Sequence, residues 1–236
     1  MGLHLADTYG RLKRYWSEAG FSLFLLIIIL GLFLAPFIDS LPVRLLASLF
    51  FSLLMVAGVF SISRHPLARL LAAIVACSAI VLRWMTNFAP SPAIQRWSSM
   101  VSLVFMVILT LVILSKVFSE SGTVNMQRVL GAIAAYLLFG LTWSVLYGLL
   151  AQILPHAFSH TAAGAMYSAD DQATITYFSF VTLTTLGYGD ITPTHEITRM
   201  FAIMEALTGQ LYPATLLARL VSLEVSHRNS HRDDAT

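Results

Sequence analysis

The residues of this sequence best suited to chemistry are seven near its C-terminal end, Thr184 to Asp190, which read Thr-Thr-Leu-Gly-Tyr-Gly-Asp. Glycine enters the region of positive φ at little steric cost. Gly187 and Gly189 alternate with Leu186 and Tyr188, so every second residue of this run can adopt an unusual backbone angle. Such a backbone can present rings of carbonyl oxygens, which can replace the water around a cation that crosses a bilayer.

The run resembles the selectivity filter of potassium channels. The resemblance implies that the backbone binds K⁺ as the permeant ion, with no cofactor, and that the innermost ring uses both the carbonyl and the hydroxyl of Thr185. It also implies that the side chains of Leu186 and Tyr188 point away from the axis and brace the loop. Asp190 would lie at the outer mouth, where a carboxylate attracts cations. The implied ion-binding residues are Thr185, Leu186, Gly187, Tyr188 and Gly189.

The residues before the run favour a filter over the alternative, a Gly-rich turn between two helices. Residues 173–184 can form a short helix, and Asp170 near its start suits the positive end of the helix dipole. Tyr177 and Phe178 match the aromatic pair that surrounds the filter in the family. With Thr184 at the end of the helix, they are the expected filter supports.

The carboxylate of Asp190 needs a hydrogen-bond partner, and members of the family differ in the residue that provides it. In some bacterial members of the family, a glutamate of the pore helix pairs with the filter aspartate. This sequence has the apolar Val181 at that position. The hydroxyl of Tyr177 and the backbone of a neighbouring copy are the partners that remain for the carboxylate.

The composition is that of a membrane protein. Of the 236 residues 57% are hydrophobic and 11% are charged, and the mean hydropathy is +0.77. The net charge of +2 and the absence of a basic cluster give no indication of nucleic-acid binding. Cys77 is the single cysteine, so the chain can form no internal disulfide and no cysteine-based metal site.

Several uncharged runs reach the length of about 20 apolar residues that a membrane-spanning helix needs. Six candidate spans are predicted, at 21–38, 45–63, 70–82, 97–115, 129–155 and about 196–222. The third is the weakest, because its uncharged part is short unless Arg69 and Arg83 extend their side chains to the interfaces. The predicted fold is an all-α membrane protein with six transmembrane helices, a re-entrant pore helix and a filter.

The spans divide the chain into a peripheral part and a pore part. The predicted domains are a cytoplasmic N-terminal segment (1–20), a four-helix membrane domain (21–118), a cytoplasmic connector (119–128), a pore domain (129–222) with an outer helix (129–155), a pore helix (173–184), a filter (185–190) and an inner helix (196–222), and a cytoplasmic tail (223–236). In this six-span topology, most of the 14 basic residues lie on the same side of the membrane as the N-terminus. The positive-inside rule therefore predicts cytoplasmic termini, and we expect a bacterial inner membrane.

The six-span layout resembles that of voltage-gated channels, with one decisive departure. A voltage sensor moves regularly spaced arginines of its fourth helix through the field, whereas residues 97–115 contain no basic residue. The layout is closer to that of bacterial six-helix ion channels whose fourth helix is uncharged. The short polar tail cannot fold into a soluble gating domain.

One filter per chain implies four chains, because such filters are built from four loops. The expected partners are three further copies in a homotetramer with cyclic symmetry, together with the lipid bilayer.

The last span holds the gating candidates Glu205, Gly209 and Pro213. Gly209 and Pro213 could form a hinge, or Gly209 could pack tightly beside a static kink. Glu205 is acidic at membrane depth, where a carboxylate is costly and usually paired or functional. Glu205 could face the pore. It could instead be buried and paired, either against the back of the pore helix or against a polar group of a neighbouring subunit, and we favour this buried arrangement. Gln210 is a possible pore-facing polar group.

The function predicted from these features is passive, potassium-selective conduction. One alternative is a subunit of a potassium uptake transporter, although related transporters carry four degenerate filters in one chain. The other is a non-conducting auxiliary membrane subunit. We find no paired carboxylates, nucleophile motif or phosphate-binding loop that would indicate an enzyme.

Overall fold

The structure, a computed structural model, describes residues 26–31, 41–61, 66–89, 91–119, 126–160 and 172–233. These residues are mostly helical. The elements are α1 (26–31), α2 (Leu41–Ser61), α3 (Pro66–Phe88), α4 (Pro92–Ser119), α5 (Met126–Ile153), β1 (Phe158–His160), α6 (Gln172–Leu183), β2 (Ile191–Pro193) and α7 (Glu196–Asp233). The predicted segment 1–20 and most of the predicted span 21–38 lie outside the described residues.

Among the described residues, three helices are long and apolar enough to cross a membrane. The qualifying stretches are Arg69–Phe88 in α3, Pro92–Ser115 in α4 and Val129–Ile153 in α5. A shorter apolar stretch, Arg44–Val59, lies in α2. These helices identify an integral membrane protein.

The third predicted span is longer than its uncharged part suggests, because α3 continues through Arg83 to Phe88. The guanidinium of Arg83 lies 5.7 Å from the centroid of the Phe51 ring, a cation–π contact. One turn later, the side-chain amide of Asn87 donates to the hydroxyl of Ser48 at 2.9 Å. Contacts with α2 thus accommodate Arg83, one of the two arginines that made this span look weak, and the polar Asn87 beyond it.

The helices α2 to α5 pack in chain order, each against the next. Their shared core contains Leu54, Phe105 and Leu138, all buried. Hydroxyl groups add polar contacts between helices, such as the 3.1 Å hydrogen bond between Thr110 of α4 and Thr142 of α5. The helices α2 to α4 are thereby attached to α5.

The second half of the chain forms a unit that we call the pore module, comprising α5, β1, α6, the loop 184–190, β2 and α7. Within it α6 packs against both α5 and α7. An aromatic cluster fixes this arrangement: the ring centroid of Phe178 lies 5.2 Å from that of Tyr147 and 5.1 Å from that of Phe158. These three rings join α6 to α5 and β1.

The strands β1 and β2 pair in antiparallel register, with Phe158 opposite Pro193 and His160 opposite Ile191. This pairing joins the chain segment after α5 to the segment that follows the loop 184–190. The sequence does not predict the pairing, because each strand has three residues and the two are far apart along the chain. The pair lies at the end of the pore module where α5 ends and α7 begins.

The helix bounds differ from the predicted ones at several ends. The helix α5 ends at Ile153 instead of 155, because Leu154 precedes a proline and is disfavoured in the α region; its start at Met126 extends into the predicted connector. The helix α6 agrees with 173–184 to within one residue. No glycine or proline follows Pro213, and α7 therefore continues through most of the predicted tail.

The aromatic cluster gives a stability prediction. Phe178 is 5% exposed, and Phe178→Ala removes a buried ring that holds α6 against α5 and β1. We expect the free energy of unfolding to fall by about 3–5 kcal/mol, measured as a lower midpoint of thermal unfolding in detergent. The matched control is Phe88→Ala, since Phe88 is exposed at the end of α3. Equal effects of the two substitutions would contradict the assigned packing.

Candidate functional site

The loop that follows α6 has left-handed backbone at every second residue. The φ angles of Thr185, Gly187 and Gly189 are 58°, 60° and 78°. Alternation of this kind turns neighbouring peptide groups the same way and can concentrate their dipoles on one side of the chain. A Cβ added at either glycine would meet nothing within 4 Å. Backbone angle therefore explains why glycine is suited to these two positions, and crowding does not.

Thr185 is the unexpected member of the left-handed set. A β-branched residue is rarely found at positive φ, and such a conformation costs of the order of 1–3 kcal/mol. It persists only where surrounding contacts hold it. The prediction of alternate backbone angles from the two glycines alone therefore missed one of the three positions.

The end of α6 fixes the start of the loop. The backbone N–H of Leu186 donates to the carbonyl of Val181 at 2.9 Å. The hydroxyl of Thr184 donates to the carbonyl of Phe180 at 2.6 Å. Thr184, predicted to support the loop, thus turns its side chain back onto α6.

The outer end of the loop is held by side chains of the pore module. The hydroxyl of Tyr177 donates a hydrogen bond to the carboxylate of Asp190. Ile191, the next residue, is buried at the start of β2. Thr198 in the first turn of α7 donates to the carbonyl of Ala157 at 2.9 Å. Within the described part of the chain, Tyr177 is thus a partner of the Asp190 carboxylate, as one of the two expected partners.

Two side chains predicted to brace the loop have little cover within one chain. Leu186 is 59% exposed and Tyr188 is 66% exposed. Phe178, predicted as a filter support, instead lies in the buried aromatic cluster. Its support of the loop within the single chain is therefore indirect, through the position of α6.

Glu205 is fully buried and joins three helices. Its Oε1 accepts a hydrogen bond from the hydroxyl of Ser179 in α6 at 2.6 Å. Its Oε2 accepts one from the hydroxyl of Tyr147 in α5 at 2.7 Å. The carboxyl group lies between α5, α6 and α7, and it is buried and paired, which is the arrangement that the sequence favoured.

The two other gating candidates differ in their surroundings. Gly209 is buried, and a Cβ placed on it would overlap the carbonyl oxygen of Leu183, at the end of α6. This is the tight packing that sequence analysis kept open as the alternative to a hinge. Pro213 is exposed and lies within the continuous helix α7.

Two partners of Glu205 were not identified from the sequence. Tyr147 and Ser179 are isolated polar residues in otherwise apolar stretches, a pattern that carries little information by itself. Glu205 itself indicated that such partners exist, because a buried carboxyl group requires hydrogen-bond donors. The Ser179 hydroxyl oxygen also lies 2.8 Å from the carbonyl oxygen of Gly140, so its one proton is shared between that carbonyl and Glu205, and Ser179 connects α7 to α5 through α6.

The fold and the loop define an integral membrane protein with a pore module of the ion-channel type. Residues 132–225 match the family described as "Ion channel". A curated relative, the two-pore potassium channel 3 of Arabidopsis thaliana, is 41% identical over 59 residues. That match takes in 25% of this chain and 14% of the relative's length.

The matched family segment extends from α5 into α7 and contains the whole loop 184–190. The pore module is therefore similar to ion channels, and a 59-residue part of the chain is similar to a potassium channel. The matched family describes ion channels, which are not a class of enzymes.

The Glu205 contacts predict a measurable loss of stability. In Glu205→Gln the new amide N–H₂ faces the hydroxyl of Tyr147 or Ser179, which is also a donor. That hydrogen bond must break, or the hydroxyl must rotate. We expect the free energy of unfolding to fall by about 1–3 kcal/mol, measured by thermal unfolding in detergent. Met204→Leu is the control, because Met204 lies on the exposed side of α7.

A double-mutant cycle tests whether the bond to Tyr147 carries the effect. We expect Glu205→Gln and Tyr147→Phe to be non-additive by at least about 0.5 kcal/mol. Strict additivity would show that the two groups act independently and would contradict the described contact.

The close approach at Gly209 gives a second comparison. In Gly209→Ala the new methyl group meets backbone, whereas in Gly140→Ala it meets the ring of Phe180, a side chain that can move. We expect Gly209→Ala to lower the midpoint of thermal unfolding in detergent more than Gly140→Ala does. A tolerated Gly209→Ala would contradict the packing of α7 against Leu183.

Proposed function

We propose that this protein is a potassium-selective channel that conducts K⁺ passively across the membrane. The observation that carries the proposal is the left-handed backbone at Thr185, Gly187 and Gly189, in a run whose sequence resembles a potassium filter. Irregular backbone at membrane depth is tolerated where protein surrounds it or where it lines a water-filled path. The family match and the similarity to a potassium channel support the same function.

In this proposal the backbone of the loop replaces the hydration shell of K⁺. The carbonyl groups of residues 185–188 and the hydroxyl of Thr185 provide the ion sites. The carboxylate of Asp190, held by Tyr177, attracts cations at the outer mouth. Each ion site requires ligands from several sides, and one loop supplies only one side.

The proposed assembly is a homotetramer, and the open face of the pore module supports it. The loop residues 184–189 are exposed in the single chain. Along α7 the exposed apolar residues recur at helical spacing, namely Ile203, Leu207, Leu211, Leu217 and Val221. The opposite face of the same helix, with Glu205, Gly209 and Tyr212, is buried. Neighbouring copies and the pore would account for the open face.

The proposed topology has six membrane-spanning helices and both termini in the cytoplasm of a bacterial cell. The helix α7 has 38 residues and would measure roughly 57 Å at about 1.5 Å per residue. It would therefore cross the bilayer and extend beyond it. Residues 97–115 of α4 contain no basic residue, which argues against voltage gating. The proposed gating elements are Glu205, Gly209 and Pro213.

The main experiment is ion flux through the purified protein in liposomes. The proposal predicts passive K⁺ flux that exceeds Na⁺ flux and that Ba²⁺ blocks. Coupled, saturable uptake would instead indicate the transporter subunit, and no flux at all would indicate the auxiliary subunit. Equal permeation of Na⁺ and K⁺ would contradict a potassium-selective filter.

Gly187→Ala is the matched variant for this assay. It places an L side chain at positive φ, where the backbone is strained although space is available. We expect a loss of K⁺ flux or of selectivity, with tetramer assembly retained on size-exclusion chromatography. Flux and selectivity equal to those of the unaltered protein would contradict a role of this backbone in conduction.

A further inference from the structure

The base of the loop is in contact with a polar side chain of α7. The side-chain amide of Gln210 donates a hydrogen bond to the hydroxyl oxygen of Thr185 at 2.8 Å. Both residues are exposed in the single chain, so they lie on the open face of the pore module. Apolar neighbours on the same face of α7, such as Leu207 and Leu211, provide no alternative donor.

The position of this amide is fixed by the neighbouring residue. Gly209 brings α7 against the carbonyl of Leu183, so the helix backbone approaches the base of the loop closely. The hydroxyl of Tyr136 in α5 donates to the same carbonyl at 3.3 Å. The end of α6 is therefore held from two helices, and Gln210 follows directly in the sequence.

Thr185 needs such a contact. It is a β-branched residue at positive φ, and its hydroxyl is the only side-chain oxygen in the proposed ion sites. A donated N–H occupies one lone pair of this oxygen and restricts rotation of the side chain. The other lone pair remains available for an ion.

We propose that Gln210 is a positioning residue for the innermost ion site, where its amide orients the Thr185 hydroxyl and thereby sets the affinity of that site for K⁺ and Ba²⁺. This inference rests on the proposed channel function. It assigns to α7 an indirect part in ion binding, through the Thr185 hydroxyl, separate from the buried contacts of Glu205 on the opposite face.

The test is Ba²⁺ inhibition of K⁺ flux through the full chain in liposomes. Gln210→Met removes the amide and keeps the length of the side chain. We expect about tenfold weaker Ba²⁺ inhibition, because the hydroxyl is no longer oriented. The control is Thr215→Val, since the Thr215 hydroxyl bonds within α7 to the carbonyls of Leu211 and Tyr212, and we expect inhibition within about twofold of the unaltered protein.

A second background separates positioning from general stability. Thr185→Ala removes the hydroxyl, and Gln210→Met should then cause no further change in Ba²⁺ inhibition. Unchanged inhibition in the single variant, or an equal loss in the Thr185→Ala background, would overturn the inference. Assembly is checked by size-exclusion chromatography, and Gln210→Ala serves as the variant if Gln210→Met does not assemble.

The role of Gln210 and the channel function can be tested separately. If the unaltered protein conducts K⁺ and Gln210→Met behaves like it, only the role of Gln210 is wrong. If the unaltered protein neither conducts K⁺ nor binds Ba²⁺ in calorimetry, the channel proposal is wrong and the inference falls with it.

Discussion

The pore module depends on one constraint: a loop with left-handed backbone at alternate residues must be held from outside. Its own sequence favours that conformation only at the two glycines, whereas Thr185 adopts it at a cost. The holding contacts come from α6 and α7. At the outer end Tyr177 binds Asp190, and at the base Gln210 binds Thr185.

The position of α6 is therefore as important for this constraint as the residues of the loop itself. One side of α6 is fixed by the aromatic rings around Phe178, and its middle by Ser179, which bonds Glu205 and the carbonyl of Gly140. A buried carboxyl group is costly without partners, so hydroxyl groups from two helices stabilise it. Through Ser179, Glu205 joins α7 to α6, the helix that precedes the loop 184–190.

Sequence alone could predict the loop, the bounds of α6 to within one residue, and the choice of a buried over a pore-facing Glu205. Those features rest on local residue types and on the cost of a charge at membrane depth. The pairing of β1 with β2 was not predictable, because three-residue strands carry almost no pattern. The partners Tyr147 and Ser179 were missed for a similar reason, since isolated hydroxyl groups become informative only after tertiary packing brings them to Glu205.

The central claim is that the backbone oxygens of four such loops bind dehydrated K⁺ on a common axis. The most direct measurement is an experimental structure of the assembled protein in Rb⁺ or Tl⁺, with the ions located by their anomalous scattering. The account predicts ion density in a row on a fourfold axis, bounded by the carbonyl groups of residues 185–188. Loops that lie apart from any shared axis, or an axis without bound ions, would contradict it.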